Sequence, residues 1–528
     1  MTCFGIVNAL EMSRISRSQI NKTTAKEPHV HPSSRVCQDS HYPRSWAYGR
    51  SLLMTDRIKN ANGCEKPLSR KENRAAIASE GGTVVRSLFH FLVAVFAIAI
   101  LAPSAFAQRE MYPQKQGVPQ RFHFEEIPKW MTLDVELRGR TEEQTSLGYV
   151  SGKDRLYELT RVWGGLTVRP TDWLTGYLQF LDTHALGLPL RDVASNMRDV
   201  FDFRQGYLNF HYESAQLFVG RQELKFGDER VVGISDWTNN SRTWDGADFR
   251  LGAKDRIDLF TTSVVGIHPT SLDKHAAGLT FHGVEGNIQS LLPKTSIQPF
   301  VLIRALPRVI SQQNIPGTET EVTFGSYFET TLPHGFSSSG TGDLQRGSYS
   351  NDSIHAGAAI IRGGYVAATH PWKPHIEGEY DYATGNRHAN PFRIGTYDQQ
   401  YPSNHNAFGL VDLFGFQNIK QDRLNFSLAP KGNFLLLFQA ESLHVASVRD
   451  AVYTGAGSTL FKAPAGGFLH DGIGSGFDAS AKYIFHQSFV INIGVGHFFP
   501  GYVMTSTGCG APLTLAYLQC TYRFRVDH

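Results

Sequence analysis

Arginine recurs in this chain at alternate positions, interleaved with carboxylates. One run carries Asp134, Glu136, Arg138 and Arg140, a second Arg221 and Glu223, and a third Arg523 and Arg525. Guanidinium groups stay charged at any useful pH and grip carboxylates through paired N–H donors. A surface lined this way would bind and pass anions, and its interspersed acids would keep some arginines paired and limit over-tight binding. Catalysis has less support. His211, His375 and His444 are candidate inward histidines, but no G-x-S-x-G nucleophile motif accompanies them. Asp398, Asn404 and Asp412 match no compact calcium loop. Gly252, Gly432, Gly472, Gly474 and Gly476 lack the following helix and Lys of a phosphate cradle and read as turns or strand kinks. No metal or cofactor is called for, and the chain is not read as an enzyme.

The elements that would position the arginines are strands. In 132–142, Leu133, Val135, Leu137 and Gly139 alternate with Asp134, Glu136, Arg138 and Arg140, a period of two. Val162, Gly164, Leu166 and Val168 follow, then a turn at Pro170-Thr171-Asp172 leads into Leu174, Gly176, Leu178 and Phe180. The same alternation places Phe218, Gly220, Leu224 and Phe226 opposite Arg221, Glu223 and Lys225. It recurs around Glu377 and Glu379, around Arg423, and in a last strand ending near Arg525.

Short turns alternate with long polar connections at 182–202, 307–350, 386–405 and 445–475, and the aromatics Trp130, Trp173, Tyr212, Phe226, Phe498, Phe499 and Tyr502 gather at strand ends. Transmembrane barrels have this asymmetry and these girdles. In lipid such strands must close on themselves, because every backbone group needs a partner.

One apolar run, 88–102, is preceded by Arg86 and followed by Pro103 and Ala105-Phe106-Ala107. Its fifteen residues rise about 22 Å as a helix, short of the roughly 30 Å of a bilayer core. It therefore reads as a secretory signal over 86–107, cleaved before Gln108. Residues 1–85 read as a non-native or disordered extension, 108–128 as a periplasmic segment and 129–528 as the barrel. The whole chain of 528 residues has 51 basic and 48 acidic residues. Removing 1–107 leaves 37 and 41, a net −4 over 421 residues. The basic surplus leaves with the discarded part, and nucleic-acid binding loses its support. Only Cys509 and Cys520 remain, read as unbonded. At roughly 22–26 residues per strand and connection, the remainder suits about 16 to 18 strands, all-β and antiparallel, around an aqueous lumen.

Three segments then resemble a known family. Gly220-Arg221-Gln222-Glu223-Leu224 through Gly227-Asp228-Glu229-Arg230-Val231-Val232-Gly233, with Trp237 and Trp244-Asp245-Gly246, is similar to the signature of the bacterial alginate-export outer-membrane porins. Tyr397-Asp398-Gln399-Gln400-Tyr401-Pro402-Ser403-Asn404-His405 with Asp412-Leu413-Phe414-Gly415 is a second such segment, and Gly496-His497-Phe498-Phe499-Pro500-Gly501 a third.

The resemblance implies an 18-stranded monomeric barrel in the bacterial outer membrane. It implies an electropositive constriction that passes an acidic polysaccharide, with Arg221, Glu223 and Arg230 in its first motif. Strand parity adds Arg138, Arg140, Arg161, Arg304, Arg362, Arg423, Arg523 and Arg525 to the expected pore lining. The partners so implied are an anionic polysaccharide or small anionic solute, outer-membrane lipid and lipopolysaccharide, and the barrel-assembly machinery. An organic-anion uptake porin and an outer-membrane hydrolase are the competing expectations. The last aromatic, Phe524, departs from the usual barrel ending, because Arg525-Val526-Asp527-His528 follows it.

Overall fold

A computed structural model describes residues 118–528 except Asn406; the predicted extension, signal peptide and cleavage site lie outside these residues. The described residues form a 21-stranded sheet, of which Gln120–His123, Lys274–His275 and Arg393–Ile394 are short additions. The other eighteen make the barrel wall. In chain order these are β1 Met131–Gln144, β2 Arg155–Thr171, β3 Leu174–Leu186, β4 Asp199–Tyr212, β5 Ala215–Gln222 and β6 Trp244–Leu251. There follow β7 Arg256–Gly266, β8 Thr280–Asn287, β9 Thr295–Ile310, β10 Pro316–Thr331, β11 Phe336–Tyr349 and β12 Asp352–Val366. The last six are β13 His375–Ala383, β14 Ile419–Lys431, β15 Phe434–Val445, β16 Gly472–Phe485, β17 Phe489–Pro500 and β18 Leu513–Asp527.

Each strand pairs antiparallel with its sequence neighbours, and β18 closes the ring on β1, from Leu133 opposite Val526 to Gln144 opposite Leu515. Backbone donors in the wall thus find acceptors without water, the condition lipid imposes. The strand continues past Phe524. Arg525 and Val526 pair on one side with β1, and Arg525 to Asp527 pair on the other with Arg121–His123, so the C-terminal extension is ordered wall.

The faces follow the alternation. Val162, Leu208, Leu424 and Ile493 are 44–54% exposed on the outer surface, whereas Glu136, Arg138, Arg140 and Arg161 are at most 7% exposed inside. This inverts a soluble protein and suits a hydrocarbon surround. Connections on one rim are short (172–173, 213–214, 432–433); those on the other include 223–243, 384–418 and 446–471.

Two expectations need correction. Residues 307–350 are no loop: they complete β9 and form β10 and β11. Their Ser, Thr, Gly and Glu content is the polar inner row, with Glu319, Glu321, Thr323, Asp343 and Gln345 buried inside while Phe324 and Leu344 are exposed outside. Conversely, Leu224 and Phe226 do not continue a strand face. β5 stops at Gln222 and the chain turns inward, where Leu224 packs with Trp244, Phe260 and Phe281.

Leu424 lies midway along β14 on the lipid side, so Leu424→Arg should destabilise the barrel by about 2–4 kcal/mol. Urea titration of the protein refolded in lipid vesicles measures this.

Candidate functional site

The lumen is crossed by two connections that the wall arginines hold. In the first, 223–243, backbone carbonyls face the wall. Arg138 donates to Asp236 O at 2.8 Å and to Thr238 O at 2.9 Å, and Arg140 donates to Trp237 O at 2.6 Å. Arg161, 1% exposed, pairs with Glu136 and reaches the Asp236 carboxylate at 3.0 Å. Arg204 takes up Glu223 and donates to Ser241 Oγ at 2.8 Å. Each such charge-assisted bond contributes roughly 1.5–3 kcal/mol when well made, so this loop is strongly seated.

The second connection, 384–418, is held by other strands of the wall. Arg304 grips Glu319 at 2.7 Å and both Asp398 oxygens at 2.9 and 2.8 Å. Burial opposes ionisation of Asp398, but Arg304 and the Gln400 amide outweigh it and hold the carboxyl below its usual range. Glu321 accepts from Gln400. Arg423 donates to Ala407 O at 3.0 Å, and the Asp478 carboxylate accepts the Leu410 amide at 2.9 Å.

The two connections also hold each other. Val232 and Tyr401 form a parallel bridge, and Ser403 Oγ donates to Glu229 at 2.8 Å. Gly233 is required here: a Cβ would lie 2.5 Å from Ser403 Oγ and 2.6 Å from the Glu229 side chain. Arg242 donates to the carbonyls of Gly233, Tyr401 and Pro402 at 2.7, 2.6 and 3.2 Å. Burial pushes its pKa down to about 10, against the opposing pull of Tyr401 and Glu229. Trp237 lies between Arg140, 3.7 Å from its ring, and the His405 ring, stacked at 3.6 Å. Burial lowers the pKa of His405 despite Asp412 beside it. Arg230, from the first connection, pairs with Glu379 at 2.5 Å and with Asp381, while Arg362 pairs with Asp228 at 2.6 Å and Glu379 at 3.2 Å.

The structure has most of the expected residues on the inner face, but not as a bare cationic wall. Arg138, Arg140, Arg161, Arg304, Arg362 and Arg423 face the lumen as partners of loops or carboxylates, and Arg230 and Glu223 sit on the first connection. Arg523 and Arg525 pair with Glu136 and Asp134 yet keep 20% and 37% side-chain exposure. Arg221 is the correction. It lies opposite Asp245 and shares the row of Leu217 and the outward-facing Val219, whereas its neighbour Gln222 is buried inside. Both oxygens of Asp245 take its guanidinium, at 2.7 and 3.1 Å. The alternation drawn through Leu224 and Phe226 set the parity wrongly, because the strand ends before them.

Sequence reasoning missed Arg204, Arg242 and Asp236, and it missed the apolar inner positions. Phe281 and Leu302 pack inside under the first connection, and Ile360, Leu443, Phe498 and Leu515 pack with Phe408, Phe414 and Phe416 of the second. An apolar residue on an inward parity was the available signal. The three segments that carried the resemblance meet here: Val232 with Tyr401, Trp237 with His405, and Phe414 with Phe498 at 5.1 Å between rings.

The model of the alginate export family matches residues 128–510. The chain belongs to the alginate export family. A comparison with curated proteins gives no match. Among solved structures, Pseudomonas aeruginosa OpdQ is similar at TM-score 0.52 and 11% identity, covering 76% of this chain and 100% of that one. Pseudomonas aeruginosa OccK3 (OpdO) gives 0.51 and 12%, covering 76% and 97%. Acinetobacter baumannii OccAB2 gives 0.50 and 8%, covering 75% and 99%. These likenesses concern the fold. With its lipid-suited outer face and its family, the alginate-export chain is a β-barrel channel of the bacterial outer membrane.

A Ser–His contact does occur, between Ser442 Oγ and His444 Nε2 at 3.1 Å, with Asp471 3.4 Å from Nδ1. Ser442 and His444 occupy the outward row of β15, alternate to the buried Glu441, Leu443 and Val445, and Asp471 is also held by Lys420 at 2.7 Å. The inner-wall contact that the hydrolase expectation requires is a different one.

Two outcomes follow for the alginate-export barrel. Arg230→Ala strands Asp381 in a buried site while Glu379 keeps Arg362, a loss of about 3–5 kcal/mol, and should loosen both connections and raise single-channel conductance. Asp398 adds stability above its ordinary value of 3.8, and that contribution is lost as pH falls through its lowered folded value. Conductance should therefore rise below about pH 4, and Asp398→Asn should bring the open-like conductance to neutral pH.

Proposed function

We propose that this channel conducts an acidic polysaccharide passively, with small organic anions as the alternative cargo, and performs no catalysis. The carrying observation is that Arg138, Arg140 and Arg161, on two adjacent strands, spend their donors on a loop rather than on the wall alone. Asp236 puts one carboxylate oxygen on Arg161 at 3.0 Å, a seat that a uronate carboxylate could take through the same charged contact. An incoming polyanion would trade places with the loop, so the loop's departure need not leave buried charge unpaired. Arg523 and Arg525, more exposed on the same inner row of β18, are suited to first contact from the periplasmic side. The acids among these arginines keep each contact weak enough to release. The family supports an acidic polymer as cargo. A single-chain barrel is the oligomeric state this reading uses, surrounded by lipid and lipopolysaccharide and inserted by the assembly machinery.

Planar-bilayer conductance tests it. Oligoalginate added to the periplasmic side should block the current, more strongly at low salt, while neutral dextran of similar size should not. Arg523→Ala with Arg525→Ala should weaken that block by about an order of magnitude, the scale of one lost charged contact. Arg221→Ala should leave it intact. Equal indifference to both polymers would favour the organic-anion uptake reading.

A further inference from the structure

Three carboxylates that neither luminal connection supplies converge at the outer end of β4. Asp199 and Asp202 lie on the strand and Asp273 on the connection 267–279, and an oxygen from each lies within 4.8 Å of the others. Asp199 and Asp202 are 1% and 3% exposed. Asp202 is oriented by backbone amides, accepting from Phe203 and Asp273 at 2.5 Å each, and Asp273 accepts the His268 amide at 2.6 Å. Asp199 is different: among the described residues neither of its oxygens has a hydrogen-bond partner outside the group, and its carboxylate points into the group. The nearby cation does not supply the missing contact. Arg221 spends its donors on the Asp245 carboxylate and on the carbonyls of Phe203 and Asp273.

We propose that Asp199, Asp202 and Asp273 bind a divalent cation, Ca²⁺ in preference to Mg²⁺, that fastens the 267–279 connection to β4. Two buried carboxylates and a half-buried third in so small a volume repel one another unless a positive charge joins them. The donors are all oxygen, which selects a hard cation over zinc or copper. Ca²⁺ accepts an irregular shell of 6–8 oxygens at about 2.3–2.6 Å, which three fixed carboxylates with added water can supply. Mg²⁺ asks for a near-ideal octahedron that this asymmetric set does not offer. The inference does not depend on the cargo.

The test uses the full barrel refolded in detergent free of lipopolysaccharide, titrated with CaCl₂ or MgCl₂ alone. Calorimetry should show one saturable Ca²⁺ site, with Kd on the order of 10⁻⁴–10⁻³ M as for extracellular sites, and weaker Mg²⁺ binding. Asp273→Asn and Asp199→Asn should each lower Ca²⁺ affinity by about tenfold or more, the scale of one lost charged ligand, while nearby Asp192→Asn should not. In the wild type, chelation should speed proteolysis within 267–279; in Asp273→Asn it should change nothing. Undetectable Ca²⁺ binding, or binding unchanged in Asp273→Asn, would overturn the site and leave a proton shared among the carboxyls. Should Asp199→Asn fail to fold, Asp273→Asn decides alone, since it lies on the connection rather than in the wall.

Discussion

The wall of this protein is governed by a requirement of the bilayer, that no backbone N–H or C=O can be left without a partner. The ring closes where β18 meets β1, and once it closes every strand must show one row of side chains to lipid and the next to the lumen. The arginines and carboxylates are inside because the leucines, valines and phenylalanines of the same strands have to be outside. Even the residues beyond Phe524 obey: Arg525 to Asp527 stay in register, with Gln120–His123 covering the edge that β17 leaves bare.

Closing eighteen strands creates a second problem, a lumen too wide to be filled by side chains alone. The chain fills it with its own loops. Residues 223–243 and 384–418 turn inward, and two apolar clusters inside the barrel bury the faces that make them do so. The wall arginines seat the loops by their carbonyls and carboxylates, so the same positive charge that suits an anionic cargo also holds the obstruction in place. On the proposed reading the loop is displaced by competition, a carboxylate of the cargo taking the place of Asp236 on Arg161.

Much of the architecture was legible from alternation. Val162 facing out and Arg161 facing in are adjacent residues whose environments follow from period two alone, and so are Arg523 and Phe524. Legibility failed where a polar row was long and the apolar row thin. Residues 307–350 read as a loop because Ser, Thr and Gly dominate them, although Phe324 and Leu344 mark the lipid face. It failed again at Gln222, where apolar Leu224 and Phe226 kept the expected spacing after the strand had ended. That one slip assigned Arg221 to the lumen, although it lies on the outer row.

The sequence by itself determined the class of fold, its membrane and its family, because lipid-facing alternation, turn spacing and the three motif segments are local and survive without knowledge of contacts. It also determined that the inner wall would be rich in arginine. Only the tertiary structure decided what those arginines touch. Arg304 meets Asp398 across 94 positions and Arg230 meets Asp381 across 151, and Asp199 comes within reach of Asp273 only when β4 and the 267–279 connection meet at the outer rim. Such pairings depend on ring closure and on loops folding back through the lumen, and no periodicity along the chain encodes either.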